Sequence, residues 1–339
     1  MSRTKSPVTV TELARRVRLS PATVSKALNG RDDVSEATRR QVLSVARELN
    51  FPLRSRRAGR RWPALRRVAV VGFGLMSRSS LLDYPFARLI HAFEAEVRGG
   101  GGELLMEMGV HGTPQCYQKR QVDGIIVLGP VEMPQQAEAL DDMPVVCAPD
   151  PLAGDGLDRV CQDNPGGVAR ITRYLIDQGH RRIAFAAHSR RRPVFVERCG
   201  GYLQAMYEAD LEPLLLTYEV EASECHEPMA DRIASCGCTA LVAANDNLAA
   251  DMVGRLTLRG WTLPEQLSIV GFDHWPQQEV WPAMPLTTVD GNLEEVARQT
   301  LELLRYRARG NSGPPLHVTV VPRIVEGNSV AAPGERRAD

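Results

Sequence analysis

Thr9-Val-Thr-Glu-Leu-Ala-Arg15 and Leu19-Ser-Pro-Ala-Thr-Val-Ser-Lys-Ala-Leu-Asn29 are the two segments that decide how this 339-residue chain is organised. Thr9 and Glu12 have the spacing of a capping box, which predicts a helix that begins after Thr9. Ser20 before Pro21 predicts a second helix, because Ser is a preferred N-cap and Pro is tolerated in the first turn. Two short helices this close together predict a helix-turn-helix.

A third helix is predicted to begin near Ser35 and to cover the first two. Its apolar residues recur at helical spacing, so they form one stripe along the helix. The stripe consists of Val42, Val45, Ala46 and Leu49. The opposing apolar surface consists of Leu13, Ala14, Val17, Val24 and Leu28. Residues 1–52 are therefore expected to be a small all-α domain.

The net charge of zero hides a strong asymmetry along the chain. Residues 1–67 contain 17 Lys and Arg against 5 Asp and Glu, and the remaining residues contain 24 against 36. The first segment therefore has a positive electrostatic potential, as expected of a protein that binds a polyanion such as DNA. A solubilising basic tail is the alternative, but capped helices are not typical of such a tail.

The exposed face of the second helix fits the major groove of double-stranded DNA. Pro21, Ala22, Ser25 and Lys26 are small or hydrogen-bonding side chains, as a helix that reads base edges requires. Caps or phosphate contacts are expected from Thr9, Ser20, Thr23 and Asn29. Residues 53–66 form a basic linker, in which Arg54, Arg56 and Arg57 are predicted to contact phosphates or a narrow minor groove. A purely solvated linker is the alternative.

From residue 67 onward, short apolar strands alternate with helical patterns. Examples are the strands at 68–71, 124–128, 182–185 and 268–271, and the helices near 86–98, 165–178 and 246–259. This alternation predicts parallel sheets with helices on both faces, in two lobes with a ligand cleft between them. Gly72-Phe-Gly74 is only half of a dinucleotide fingerprint, and hydrolase, P-loop and zinc-protease motifs do not occur. The chain is predicted not to be an enzyme.

The order of motifs resembles the lactose/galactose repressor family of transcriptional regulators. The resemblance rests on the two opening segments, on Val34-Ser-Glu-Ala-Thr-Arg39 and Leu49-Asn-Phe-Pro52, and on motifs further along the chain. These include Asp163-Asn-x-x-Gly167, Arg198-x-x-Gly-Tyr202, Ala244-Asn-Asp246 and Ser268-Ile-Val-Gly-Phe-Asp273. The resemblance implies an α/β fold: a helix-turn-helix head and a two-lobed module like type I periplasmic binding proteins, with three crossovers.

The resemblance also implies what the protein does and what it binds. The expected function is an effector-responsive repressor of a catabolic or transport operon, acting as a homodimer or tetramer on a DNA operator. The effector is expected to be a sugar or related polar metabolite, without a cofactor. Its candidate site residues are Tyr84, Phe86, Asp150, Arg198, Asn245, Asp273 and Trp275. The structural alternatives are a surface ion pair for Arg198, caps for Asn245 and Asp273, and core positions for the aromatic residues.

The expected module spans residues 67–328, with a flexible tail at 329–339. Its N-lobe comprises about 67–160 and 289–319, and its C-lobe about 161–288 and 320–328. Four departures from the family pattern stand out. Arg18 occupies the usual glycine of the turn, Gly59 lies near the hinge leucine, the connection at 109–123 is short, and 76–83 looks inserted.

The cysteines and the N-terminus bear on disulfides, metal sites and cellular location. Seven cysteines, including Cys225, Cys236 and Cys238, form no disulfide framework and lack the spacing of a zinc site, so no metal is expected. The polar start and the absence of a long apolar run predict a cytoplasmic protein without a membrane span. The rival functions are a cytosolic α/β small-molecule-binding protein or enzyme with a basic tail, and a nucleoid protein without an effector.

Overall fold

The computed structural model describes residues 9–28, 34–49, 65–73, 84–128, 140, 143–149, 156–188, 192–217, 222–276 and 284–333. The first two ranges form a three-helix head of α1 (Val10–Val17), α2 (Pro21–Leu28) and α3 (Glu36–Glu48). The predicted apolar residues meet in its core, which buries Leu13, Ala14, Val17, Val24, Ala27, Val42 and Ala46.

The remaining ranges contain twelve described strands and seven described helices. The strands are β1 (Arg67–Phe73), β2 (Glu103–Val110), β3 (Gly124–Leu128), β4 (Val145–Ala148), β5 (Asp158–Gln162), β6 (Ile183–Ala187), β7 (Leu214–Thr217), β8 (Ala240–Ala243), β9 (Ser268–Phe272), β10 (Thr287–Asp290), β11 (His317–Val320) and β12 (Arg323–Val325). The helices are α4 (Tyr84–Gly99), α5 (Gln115–Gln118), α6 (Asn164–Asp177), α7 (Pro193–Glu208), α8 (Ala222–Cys236), α9 (Asp246–Leu258) and α10 (Leu293–Ala308).

The strands form two six-stranded sheets, one for each predicted lobe. The N-lobe sheet has the order β11-β5-β4-β3-β1-β2 and is parallel throughout. The C-lobe sheet has the order β12-β10-β9-β8-β6-β7, with only β12 antiparallel to its neighbour. Alternate residues of a strand pack into different apolar clusters on the two faces of the sheet. In β1, Val68 and Val70 belong to one cluster, and Ala69 and Val71 belong to the other. Both faces of each sheet are therefore covered, as parallel sheets require.

The chain crosses between the lobes three times, as the resemblance implied. The crossings follow β5, β10 and β11. The crossings after β5 and after β11 are hydrogen-bonded to each other: the amide of Asp163 donates to the carbonyl of Val320 at 2.9 Å. The carboxyl ends of the parallel strands open between the lobes, which places the candidate cleft there.

The structure departs from the sequence expectations in several places. Helix α8 was not predicted, because Pro228 lies inside it and interrupts the helical pattern. The predicted flexible tail is wrong for its first residues: Ser329 is fully buried and donates to the carbonyl of Ile269 at 2.6 Å. Arg198 lies in the second turn of α7 and is buried, so the alternative of a surface ion pair is wrong. The short connection was predicted correctly, since α5 has only four residues, whereas the insertion at 76–83 lies outside the described residues.

Candidate DNA-reading head and effector cleft

The caps of the reading head form as the sequence predicted. The Thr9 hydroxyl accepts a hydrogen bond from the amide of Glu12 at 3.3 Å. The Ser20 hydroxyl accepts from the amide of Thr23 at 3.0 Å and also contacts the Thr23 hydroxyl at 2.8 Å. Thr9, Ser20 and Thr23 therefore hold the helix ends in this structure.

The second helix separates a buried face from an exposed one. Val24 and Ala27 are fully buried against α1 and α3, whereas Pro21, Ala22 and Lys26 are exposed and Ser25 is half-buried. The exposed residues are those expected to face base edges. Asn29, Arg54, Arg56 and Arg57 lie outside the described residues.

The turn between the first two helices carries a strained residue. Arg18 has a φ of 57° and a ψ of 38°, in the left-handed region, and its amide closes α1 onto the carbonyls of Ala14 and Arg15. An L-residue with a β-carbon is disfavoured in this region, which glycine enters freely. The departure noted in the sequence is therefore a real backbone constraint.

Arg198 is the centre of a buried polar cluster in the C-lobe. Its Nε donates to Asn164 Oδ1 at 3.1 Å, its Nη1 to the carbonyl of Ala244 at 2.6 Å, and its Nη2 to Asp273 Oδ1 at 2.9 Å. Its guanidinium lies 3.7 Å from the ring centroid of Phe272. The side chain is only 4% exposed, so the guanidinium is held in one orientation.

The arrangement around Arg198 depends on a glycine. A Cβ on Gly201 would lie 2.1 Å from the carbonyl oxygen of Pro165, so α6 and α7 touch because position 201 is glycine. One residue further, the Tyr202 hydroxyl donates to the carbonyl of Ile183 at 2.8 Å and accepts from the amide of Leu214 at 2.7 Å. The Arg-x-x-Gly-Tyr motif thus sets the position of Arg198 against the sheet.

Asp273 pairs with Arg198 from a strained turn after β9. Asp273 has a φ of 110° and His274 a φ of 51°, and both are backbone conformations that residues other than glycine rarely adopt. The Asp273 side chain is 11% exposed, against 4% for Arg198. Asp273 is therefore the more accessible partner of the pair.

Asn245 and Trp275 are placed differently from the simplest expectation. The Asn245 side-chain oxygen accepts from the amide of Leu248 at 2.9 Å, so Asn245 is the N-cap of α9, the structural alternative stated above. Trp275 is half-buried, and its amide donates to Asp246 Oδ2 at 2.8 Å. The structure thus brings Arg198 and Asp273 together and gives Asn245 a capping role.

Two further candidates belong to α4 of the N-lobe. Phe86 is half-buried and packs against the apolar cluster of that lobe, which is the core alternative for this residue. Tyr84 begins α4, but its side chain is not among those described. Asp150 lies outside the described residues.

Sequence reasoning missed Asp246 as part of this site. It is fully buried beside the Arg198–Asp273 pair, and its Oδ1 accepts from the Thr288 hydroxyl at 2.5 Å. Burial and the negative charge of Asp273 raise the pKa of Asp246 to about 8, against the opposing hydrogen bonds. The Asn245-Asp246 pair could have indicated it. Only one of two adjacent residues can be the N-cap of a helix, so the second polar side chain must have another partner, which here is the Thr288 hydroxyl.

A buried ion pair ties the two lobes at the second crossing. Asp290, at the end of β10, accepts from Arg88 of α4 at 3.1 Å and from Arg323 at 3.0 Å. Burial raises the pKa of Asp290, but the Asn292 amide and the Arg88 guanidinium outweigh it, so the pKa lies below its ordinary value. Asp290 therefore carries a negative charge at neutral pH at the point where the lobes meet.

Metal and membrane features are absent from the described part of the chain. No group of three or more His, Cys, Asp and Glu side chains there is placed to hold a metal ion. No helix among the described residues is long and apolar enough to cross a membrane.

Two family models match the chain in the order that the fold shows. The model for bacterial regulatory proteins of the lacI family matches residues 9–52, and the model for a periplasmic binding protein-like domain matches residues 172–330. The chain belongs to the lacI family of bacterial regulatory proteins. Its fold, with a helical head and two parallel-sheet lobes, is the one that the resemblance implied, and the family is one of regulators rather than enzymes.

Similar proteins extend over nearly the whole lacI-family chain. A protein described as the HTH-type transcriptional repressor PurR of Vibrio atlanticus is 26% identical over 336 residues, which is 95% of this chain and 98% of the relative. A solved complex of the transcriptional regulator CelR with cellobiose is 25% identical, with a TM-score of 0.67, and covers 95% of this chain and 100% of that one. The lac repressor dimer bound to operator shares the fold at 19% identity and a TM-score of 0.65, over 96% and 100%.

Proposed function

We propose that this lacI-family chain is an effector-responsive repressor, in which the head reads operator DNA and the cleft at Arg198 and Asp273 binds a polar small molecule. The observation that carries the proposal is that one chain contains both a capped, outward-facing α2 and a buried Arg–Asp pair at the sheet edges between two lobes. We further propose a cytoplasmic location and a catabolic or transport operon as its target.

The DNA side of the proposal rests on exposure and charge. Pro21, Ala22 and Lys26 project from α2, while the helix is fixed from behind by Val24 and Ala27. The basic residues of the head and linker attract phosphates from either strand without distinguishing sequence. Sequence preference is assigned to α2, and Arg54, Arg56 and Arg57 are assigned to the backbone or minor groove.

The effector side rests on the donors and acceptors around Arg198. A guanidinium has five N–H groups, and Asn164, Ala244 and Asp273 accept three hydrogen bonds from Arg198. The Asp273 carboxylate is the more exposed member of the pair, and a carboxylate held by a guanidinium suits a ligand that donates hydrogen bonds, such as a sugar hydroxyl. The relative solved with cellobiose supports a sugar or a related polar metabolite.

The two sites communicate, in this proposal, through the arrangement of the lobes. A ligand that touches both lobes stabilises one arrangement, and its differential affinity sets how far the population shifts. One three-helix head reads few base pairs, so two heads in a homodimer on a two-fold symmetric operator are proposed. The lac repressor relative is a dimer bound to operator.

Selection of binding sites from randomised double-stranded DNA tests the DNA reading directly. The full chain is expected to enrich a near-palindromic site, because the spacing of two heads fixes the spacing of the half-sites. A variant lacking residues 1–52 is the control and is expected to enrich nothing. If the truncated chain selects the same site, or the full chain selects none, the reading head is wrongly assigned.

A further inference from the structure

The Cys236-Gly237-Cys238 turn between α8 and β8 lies outside the head and the cleft. Gly237 has a φ of 74°, which folds the chain back between the two cysteines. A single guanidinium holds the turn from outside: Arg182 donates from Nη2 to the carbonyl of Cys236 at 2.7 Å and from Nε to that of Gly237 at 3.1 Å. The positions of both cysteines are thereby fixed.

The two cysteines of this turn differ in exposure. Cys236 is the last residue of α8 and is half-buried, whereas Cys238 is fully buried in the apolar cluster of the C-lobe. The Cys236 side chain packs against the same cluster, and its thiol directs its proton to the carbonyl of Ile233 at 3.4 Å. A partly exposed thiol and a buried one thus lie two residues apart in one tight turn, against one apolar cluster.

The surroundings of Cys236 favour its thiolate. The hydrogen bond from the Cys238 thiol lowers the pKa of Cys236 most, burial opposes it, and the backbone amides and Arg232 lower it further, to about 6. Because the thiolate is the nucleophile, Cys236 is ready to react at neutral pH. By contrast, burial raises the pKa of the Cys116 thiol to about 12, so that thiol stays protonated at neutral pH.

We propose that Cys236 and Cys238 form a reversible redox site, at which a hydroperoxide oxidises the two thiols to an intrachain disulfide. The Cys236 thiolate attacks one peroxide oxygen, the O–O bond breaks, and a sulfenic acid forms while the other oxygen leaves as an alcohol or water after taking a proton. The Cys238 sulfur then attacks the Cys236 sulfur. The S–O bond breaks, and water leaves with the Cys238 proton. The dithiol loses two electrons and the peroxide gains them.

Peptide mapping of the full chain after treatment with hydrogen peroxide tests this site. Trypsin cuts after Arg232 and Arg255, so one peptide, residues 233–255, contains both cysteines and no other. We expect this peptide to lose about 2 Da before any other cysteine is modified, and dithiothreitol to reverse the loss. In Cys238→Ser the disulfide should be absent and dimedone should label Cys236. Oxidation of Cys199 ahead of this peptide would overturn the proposal.

The pH profile of alkylation tests the same site in the unmodified sequence, and it does not depend on any variant folding. With iodoacetamide, the rate at Cys236 is expected to rise with a midpoint near pH 6 and to be flat above pH 7.5. At pH 5.5 it should exceed that of a model cysteine peptide by about 20-fold, after the lower intrinsic nucleophilicity of a more acidic thiol is included. A midpoint near 8.5, the ordinary value, would overturn the proposal.

Discussion

Replacing Arg18 by glycine should stabilise the reading head. Arg18 is exposed and has a φ of 57°, so the substitution removes left-handed strain of about 1–2 kcal/mol. Glycine also loses about 0.5–1 kcal/mol more conformational entropy on folding, which leaves a net gain of about 0.5–1 kcal/mol. Hydrogen exchange in the full chain measures it: amides of α1 such as that of Leu13 should exchange about two- to five-fold more slowly, since head opening becomes rarer.

The matched control for this prediction is Arg18→Ala. Alanine removes the same charge and side chain but keeps the Cβ, so the strain remains and exchange should stay near the rate of the unmodified chain. If exchange slows as much in Arg18→Ala as in Arg18→Gly, the effect comes from removal of the charged side chain and not from relief of backbone strain. Unchanged or faster exchange in Arg18→Gly would refute the argument from backbone strain.

Three further substitutions test the head, the core and the link between the lobes. Lys26→Ala should weaken operator binding by about 1–3 kcal/mol and reduce the base preference at one operator position in competition assays. The control Lys119→Ala, at another exposed lysine, should change neither affinity nor base preference. Equal weakening on all DNA sequences would show that Lys26 contacts phosphate. Asp158→Ala leaves the buried Arg307 without its 2.7 and 2.8 Å partners and should cost about 3–5 kcal/mol in urea unfolding. Arg298 lies on α10 with Arg307 but is exposed, so Arg298→Ala should leave the urea unfolding midpoint nearly unchanged. Because the pKa of Asp290 is depressed in the folded state, its stabilisation is present at neutral pH and is lost as pH falls below its ordinary value of 3.8. Asp290→Asn should flatten that acid limb of the stability curve, and Asp177→Asn should leave it; a limb unchanged in Asp290→Asn would contradict the assignment.

Local chemistry made the head predictable from the sequence. The caps at Thr9 and Ser20 require only a side-chain oxygen three residues before an amide, and the strain at Arg18 follows from its place between two capped helices. Strand and helix alternation likewise predicted both parallel sheets. These features depend on neighbours within a few residues, and such neighbours can be read from one sequence.

The missed features depend on residues that meet only in the folded chain. The buried imidazole of His180 contacts both the Thr239 hydroxyl at 2.9 Å and the carbonyl of Ala331 at 3.0 Å. The tail is ordered at Ala331 because its carbonyl and amide also pair with Ser268. The ionisation of Asp246 is likewise set by burial and by Asp273, 27 positions further along the chain. No local pattern carries this information.

In the proposed function, ligand binding at the cleft changes the affinity of the head for operator DNA, and one titration tests this coupling. Operator affinity is measured by fluorescence anisotropy for the unmodified chain and for Asp273→Ala, with and without the sugar, nucleoside or sugar phosphate that stabilises the unmodified chain most in a thermal-shift screen. We expect the ligand to change the operator affinity of the unmodified chain by about 5- to 150-fold. Asp273→Ala should lose both this response and the thermal shift, while its ligand-free operator binding stays within about two-fold of the unmodified chain. An undiminished ligand response in Asp273→Ala would show that the site at Asp273 does not control operator binding.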